Sequence, residues 1–133
     1  MAKKKQQVNE DLERTYSIDF SSLESGGYSV ELILSERLKS AGIKPNSNDK
    51  LDQLIVKCSK FKKNPHDFIF PELSLSESIF RALLIRKNSK SAMHQIQSDL
   101  SAVWLDHYKL PYKNLSDNVI MRILESNRLF KSA

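Results

Sequence analysis

Four side chains in this sequence are reactive enough to do chemistry near neutral pH: His66, His94, His107 and Cys58. Imidazoles titrate there, and a thiolate is a strong nucleophile. No pattern puts them to work. The histidines are scattered, and His94 and His107 lie thirteen residues apart on one predicted helix, too far to share a metal ion. Cys58 falls on an apolar stripe, the place of an inert core thiol. The chain contains no G-x-x-x-x-G-K-[ST], G-x-G-x-x-G, H-E-x-x-H or C-x-x-C arrangement. Gly26-Gly27 is too short to cradle a phosphate. The residues therefore point to a non-enzyme, with no catalytic residue, metal site, cofactor or small-molecule ligand assigned.

Two stretches carry binding chemistry instead. KCSKFKK, residues 57–63, groups four lysines around Phe61. Lysines at a helix end complement the negative pole of its dipole, which is the first reading; a phosphate-contacting patch is the alternative. WLDHYKLPY, residues 104–112, sets Trp104, Tyr108 and Tyr112 around a connection closed by Pro111. Aromatic-rich connections are favoured at protein-binding surfaces. The competing reading makes Trp104 a core anchor with the tyrosines capping it.

These stretches need elements to hold them. The chain has 133 residues, 40% hydrophobic, enough to bury a core as one domain or two very small ones. No apolar run approaches the ~20 residues of a membrane span. MAKKKQQ, residues 1–7, is a basic tail with no apolar stretch behind it, unlike a signal peptide. One cysteine makes no internal disulfide, which fits a reducing cytoplasm. The net charge of +5 is a mild bias toward polyanions. Twelve basic residues face ten acidic through position 67, and nine face six beyond it, so neither half has a strong electrostatic footprint.

A weak helical pattern runs from Val8 to about Thr15, and Tyr16, Ile18 and Phe20 alternate with polar residues as a short strand does. Ser21–Gly27 reads as a loop. Val30, Ile33, Leu34, Leu38 and Ala41 then form one helical stripe, with Gly42 at a left-handed C-cap and Pro45 barring continuation. PNSND offers N-cap side chains to the next stripe, Leu51, Leu54, Ile55, Cys58 and Phe61. DFIFPEL, residues 67–73, reads as extended, a candidate partner for the 16–20 strand, and as a seam. Ser74 and Glu77 make a capping box for a helix with Leu75, Ile79, Phe80, Leu83 and Leu84 inward. After NSKS, a second helix turns in Met93, Ile96, Leu100, Val103 and Trp104. Ser116 or Asn114 caps a third, with Val119, Ile120, Ile123 and Leu124 inward, Asn127 as a left-handed C-cap, and Leu129 or Phe130 folding back on the core. The expected fold is mainly α: a helical N-terminal subdomain over residues 8–70, packed on a three-helix unit over 71–133 with at most short strands.

SLSESIFRALLIRKNSKSAMHQIQSDL followed by NLSDNVIMRILESNRLF resembles the helix-turn-helix and winged-helix modules of transcription-associated proteins. The resemblance covers residues 74–130. It implies a transcription-regulating, DNA-binding role in which the third helix reads the major groove. Asn118 would then pair with adenine and Arg122 with guanine, while Lys87, Lys90, Lys113, Arg128 and Lys131 would contact phosphates. Two features oppose it: Asp117 and Glu125 bring carboxylates to the same face, and only three residues follow Phe130, where a wing needs two strands and a turn. The alternative is a protein-protein interaction module using Trp104, Tyr108 and Tyr112. The partners expected are DNA or another protein, not a membrane.

Overall fold

A computed structural model describes residues 14–132, so the basic tail and the Val8–Glu13 part of the first helical pattern lie outside the described residues. The fold is mainly helical, with a small antiparallel sheet. Strand β1 (Thr15–Ile18) is followed by helices α1 (Phe20–Ser25), α2 (Val30–Ser40) and α3 (Leu51–Ser59). Single 3-10 turns occupy Lys60–Lys62 and Pro65–Asp67. Helix α4 (Leu75–Ile85) leads to strand β2 (Ser91–Ala92), helix α5 (Met93–Leu100) with a π-helical continuation over Ser101–His107, helix α6 (Asp117–Ser126) and strand β3 (Phe130–Ser132).

The sheet order is β2-β1-β3, so the strand that comes first in the chain lies in the middle. Both pairings are antiparallel. Tyr16 stands opposite Ser91 on one side and Ser132 on the other, and Ile18 opposite Phe130. A central strand is covered on both faces, and Tyr16, Ser17 and Ile18 are all buried. Asn88 lengthens the short β2 side. Its Oδ1 accepts from the Ile18 backbone N–H at 2.7 Å and its Nδ2 donates to the Ile18 carbonyl at 3.2 Å, so one amide completes the ladder that β2 is too short to reach. Asn88 and Lys87 both hold left-handed backbone, φ 54° and 59°, a conformation asparagine tolerates better than most residues.

Helix α4 is the hub. Every residue from Ser78 to Ile85 is buried, because α3, α5 and β1 pack around it. Within this apolar surround lies Arg81, 6% exposed. Its guanidinium donates to Glu77 Oε2 (2.9 Å), the Phe68 carbonyl (2.9 Å) and Ser40 Oγ (3.2 Å), and lies over the Phe68 and Phe70 rings. Arg37 of α2 closes on the same Glu77 with two bonds of 3.0 and 2.8 Å. One carboxylate shared by two guanidiniums thus joins α2 to α4, and the second guanidinium joins both to the 68–70 segment. A single buried cluster runs from Tyr16 to Phe130 across both parts of the chain.

Several local expectations change. Residues 21–25 are not loop: Asp19 caps α1 by accepting from the Ser22 N–H. DFIFPEL does not pair with β1. Phe68 and Ile69 donate back to Pro65, so the segment begins as a turn, and a turn can bury both of those adjacent residues where a strand would expose one. The side chains of PNSND do not cap α3; Lys50 holds the N-cap position and Gln53 accepts from its backbone N–H at 2.8 Å. The Ser74 half of the capping box forms, but Glu77 is turned to the arginines. Asn127 is extended rather than left-handed, which directs the chain into β3. Gly42 is left-handed at φ 83°, as expected.

Asn88→Gly keeps the left-handed backbone and deletes only the amide, leaving both Ile18 backbone groups unpaired. It is expected to cost about 1–3 kcal/mol in urea unfolding. Glu77→Ala strands Arg81 in the core and is expected to cost about 3–5 kcal/mol by the same measurement.

Candidate functional site

The helix expected to read, α6, presents a narrow exposed stripe. Ile120 and Leu124 are buried, Ile123 packs beside them, and Val119 is half-buried. Asn118 and Arg122 are exposed one turn apart on the outer face. Met121 and the exposed Glu125 flank β1. The Tyr16 hydroxyl donates to Glu125 Oε1 at 2.6 Å and lies 3.7 Å from Met121 Sδ, while Arg14 Nη1 donates to the same Glu125 oxygen at 3.0 Å. Asp117 accepts from Gln97 of α5 at 2.7 Å. Of the two opposing carboxylates, Glu125 is therefore drawn to Tyr16 and Arg14, and Asp117 is tied to the helix beside it.

The expected phosphate contacts divide. Lys87 and Lys90 are exposed in the α4–β2 turn at the Ile18 end of the sheet, where Asn88 grips β1. Arg128 is exposed between α6 and β3, and Lys131 on β3. Lys113 is half-buried, with its ammonium 4.2 Å above the Trp104 ring.

The aromatic connection is mostly internal. Trp104 is 2% exposed and its indole N–H donates to the Phe70 carbonyl at 3.3 Å, so it anchors the core and has no ring face to offer a partner. Tyr108 is half-buried and donates to the His66 carbonyl at 2.7 Å. Only Tyr112, 76% exposed, projects outward. In KCSKFKK, Lys57 is paired with Asp49 and Phe61 stacks on Phe68 at 4.8 Å, which leaves Lys60, Lys62 and Lys63 as a solvated basic turn.

Comparison with family models, with curated proteins and with solved structures finds no match to this chain.

Three features lay beyond sequence reasoning. His66 and His107 stack with ring centroids 3.7 Å apart, although forty-one positions separate them. Arg14, just before β1, meets α6. A cleft of about 780 Å³ opens among the Lys60–Lys62 turn, the end of α4 and α5, with Arg86 held by Asp99 at 2.6 and 3.0 Å on its wall. Among the described residues no group of three His, Cys, Asp or Glu side chains could hold a metal ion, and no helix is long and apolar enough to cross a membrane. Burial pushes the Cys58 thiol up to about 12, which removes it as a nucleophile at neutral pH.

Burial, and then the bond to Glu125, pushes the Tyr16 phenol up to about 12; the same bond, and then Arg14, holds Glu125 below the usual carboxylate range. A phenol raised in the folded state stabilises it fully below the unfolded value of about 10 and loses that contribution as pH rises through the folded value. Absorbance titration of the phenolates should therefore show one tyrosine ionising close to pH 12. Tyr16→Phe should remove that step and flatten the fall in stability between about pH 10 and 12.

Proposed function

We propose that the protein is a non-catalytic, transcription-associated DNA-binding protein of the cytoplasm, and that it docks the outer stripe of α6 in the major groove of a duplex. The observation that carries this reading is the sheet. A winged helix sets two paired strands beside its third helix, and among the described residues α6 leads into β3. Strand β1 takes the second place from the other end of the chain, antiparallel to both β2 and β3. The helices α4, α5 and α6 thereby share a three-stranded sheet, which supports the winged-helix reading.

Charge supports the same reading. Glu125 is drawn toward β1, where the Tyr16 hydroxyl donates to it. Asn118 and Arg122 are exposed on the stripe, with the side chains that pair with adenine and guanine edges. Lys87 and Lys90 on one side of β1, and Arg128 and Lys131 beside β3, are exposed cations suited to the backbone. The role of a protein-interaction module is less well served, since Trp104 is sealed and Tyr108 is tied to His66, leaving Tyr112 alone.

Phosphate contacts from Lys87, Lys90, Arg128 and Lys131 would give a salt slope of roughly −3.6 in log affinity against log salt on random duplex DNA. Fluorescence anisotropy from about 50 to 200 mM salt measures it. Arg122→Ala is expected to weaken a preferred site by about 1–3 kcal/mol, and Asn118→Ala to relax base preference. A protein that shows no duplex binding at the lowest salt is not a DNA-binding protein of this kind.

A further inference from the structure

We infer that Arg14, just before β1, is a backbone-phosphate contact, and that Glu125 is the internal anion it leaves when DNA arrives. The inference rests on the α6 reading above and adds to it a residue outside the helix. Strand β1 begins beside the last described residues of β3, with Tyr16 opposite Ser132. Arg14 immediately precedes β1 at that end of the sheet. Its guanidinium touches Glu125, which lies three residues from Arg122 and seven from Asn118 and so borders the same helical stripe. Arg14 is thus already at the flank of the face that would meet the duplex.

The bond that holds it is easily exchanged. Both partners are nearly half exposed, 47% and 43%, and an exposed pair is screened by solvent and contributes little. A phosphate is an equivalent acceptor for a guanidinium fork. When Arg14 moves, Glu125 keeps the Tyr16 hydroxyl at 2.6 Å, so the carboxylate is not stranded. The sheet keeps its register, because Tyr16, Ser17 and Ile18 are paired independently of Arg14.

The test compares wild type, Arg14→Gln, Arg14→Lys, Glu125→Gln and the Arg14→Gln/Glu125→Gln double variant on random duplex DNA, with thermal melting as a check on folding. One phosphate contact contributes about 0.9 to the salt slope. Between about 50 and 200 mM salt, wild type should lose roughly 3.5-fold more affinity than Arg14→Gln, while Arg14→Lys keeps the wild-type slope. Glu125→Gln should tighten binding several-fold, and that gain should shrink when Arg14 is absent. Wild type that binds no duplex removes the DNA reading and this inference together. Wild type that binds and is weakened by Arg122→Ala, with an unchanged slope in Arg14→Gln, overturns this inference alone. So does a Glu125→Gln gain of equal size with and without Arg14, since that is simple repulsion and not exchange.

Discussion

The position of β1 between β2 and β3 is the constraint on which the rest of the structure depends. Two- and three-residue strands do not make a sheet by themselves, and β2 and β3 touch only through β1. Three devices keep it there. The ladders on both sides use its backbone, the Asn88 amide grips Ile18, and Asp19 donates to the Leu129 carbonyl at 2.8 Å to continue the β3 side. The Tyr16 hydroxyl adds a fourth tie, reaching up to α6. The outer stripe of α6 is in turn defined by what β1 covers: Met121 and Glu125 are taken, and Asn118 and Arg122 are left.

A second, polar knot does for the other side of the molecule what β1 does for the sheet. Arg81 is almost fully enclosed, and a lone buried charge is costly, so its partners are dictated. Glu77 accepts from its Nε, Ser40 and the Phe68 carbonyl accept from its Nη1, and the guanidinium lies over the Phe68 and Phe70 rings. A leucine there would fill space without selecting an arrangement; the guanidinium specifies one position of α2 and one path for residues 68–70. Trp104 and Tyr108 then hold the carbonyls of Phe70 and His66, so the aromatic connection serves the same segment from outside.

The helices were legible because their evidence is local. Stripes such as Leu75, Ile79, Phe80, Leu83 and Leu84 lie within a few turns, and the Gly42 stop needs only one residue. The Tyr16–Ile18 alternation likewise announced a strand, but not its partners, which are set by backbone groups far along the chain. DFIFPEL misled because alternation of apolar residues also arises in a turn that buries Phe68 and Ile69 together. Glu125 looked like a free carboxylate because Tyr16 and Arg14 lie 109 and 111 positions away. Trp104 had two readings, and only the enclosing segment, Phe70 included, decides between them. The antiparallel partner of β3 lies before the first helix, and the C-terminal pattern by itself carries no sign of it.

The order of synthesis gives the placement of β1 a consequence of its own. The chain emerges from its N-terminus, so this strand appears well before either neighbour exists. Its first partner, at Ser91, is made after α4, and its second, at Phe130, comes at the very end of the described chain. Until then its backbone groups have no sheet to join, and Tyr16 and Ile18 have no finished core to enter. Contacts of such long sequence separation form slowly, after the local helices. The molecule therefore acquires its central strand late, and an unfinished chain exposes an unpaired apolar edge of the kind that recruits chaperones or neighbouring copies.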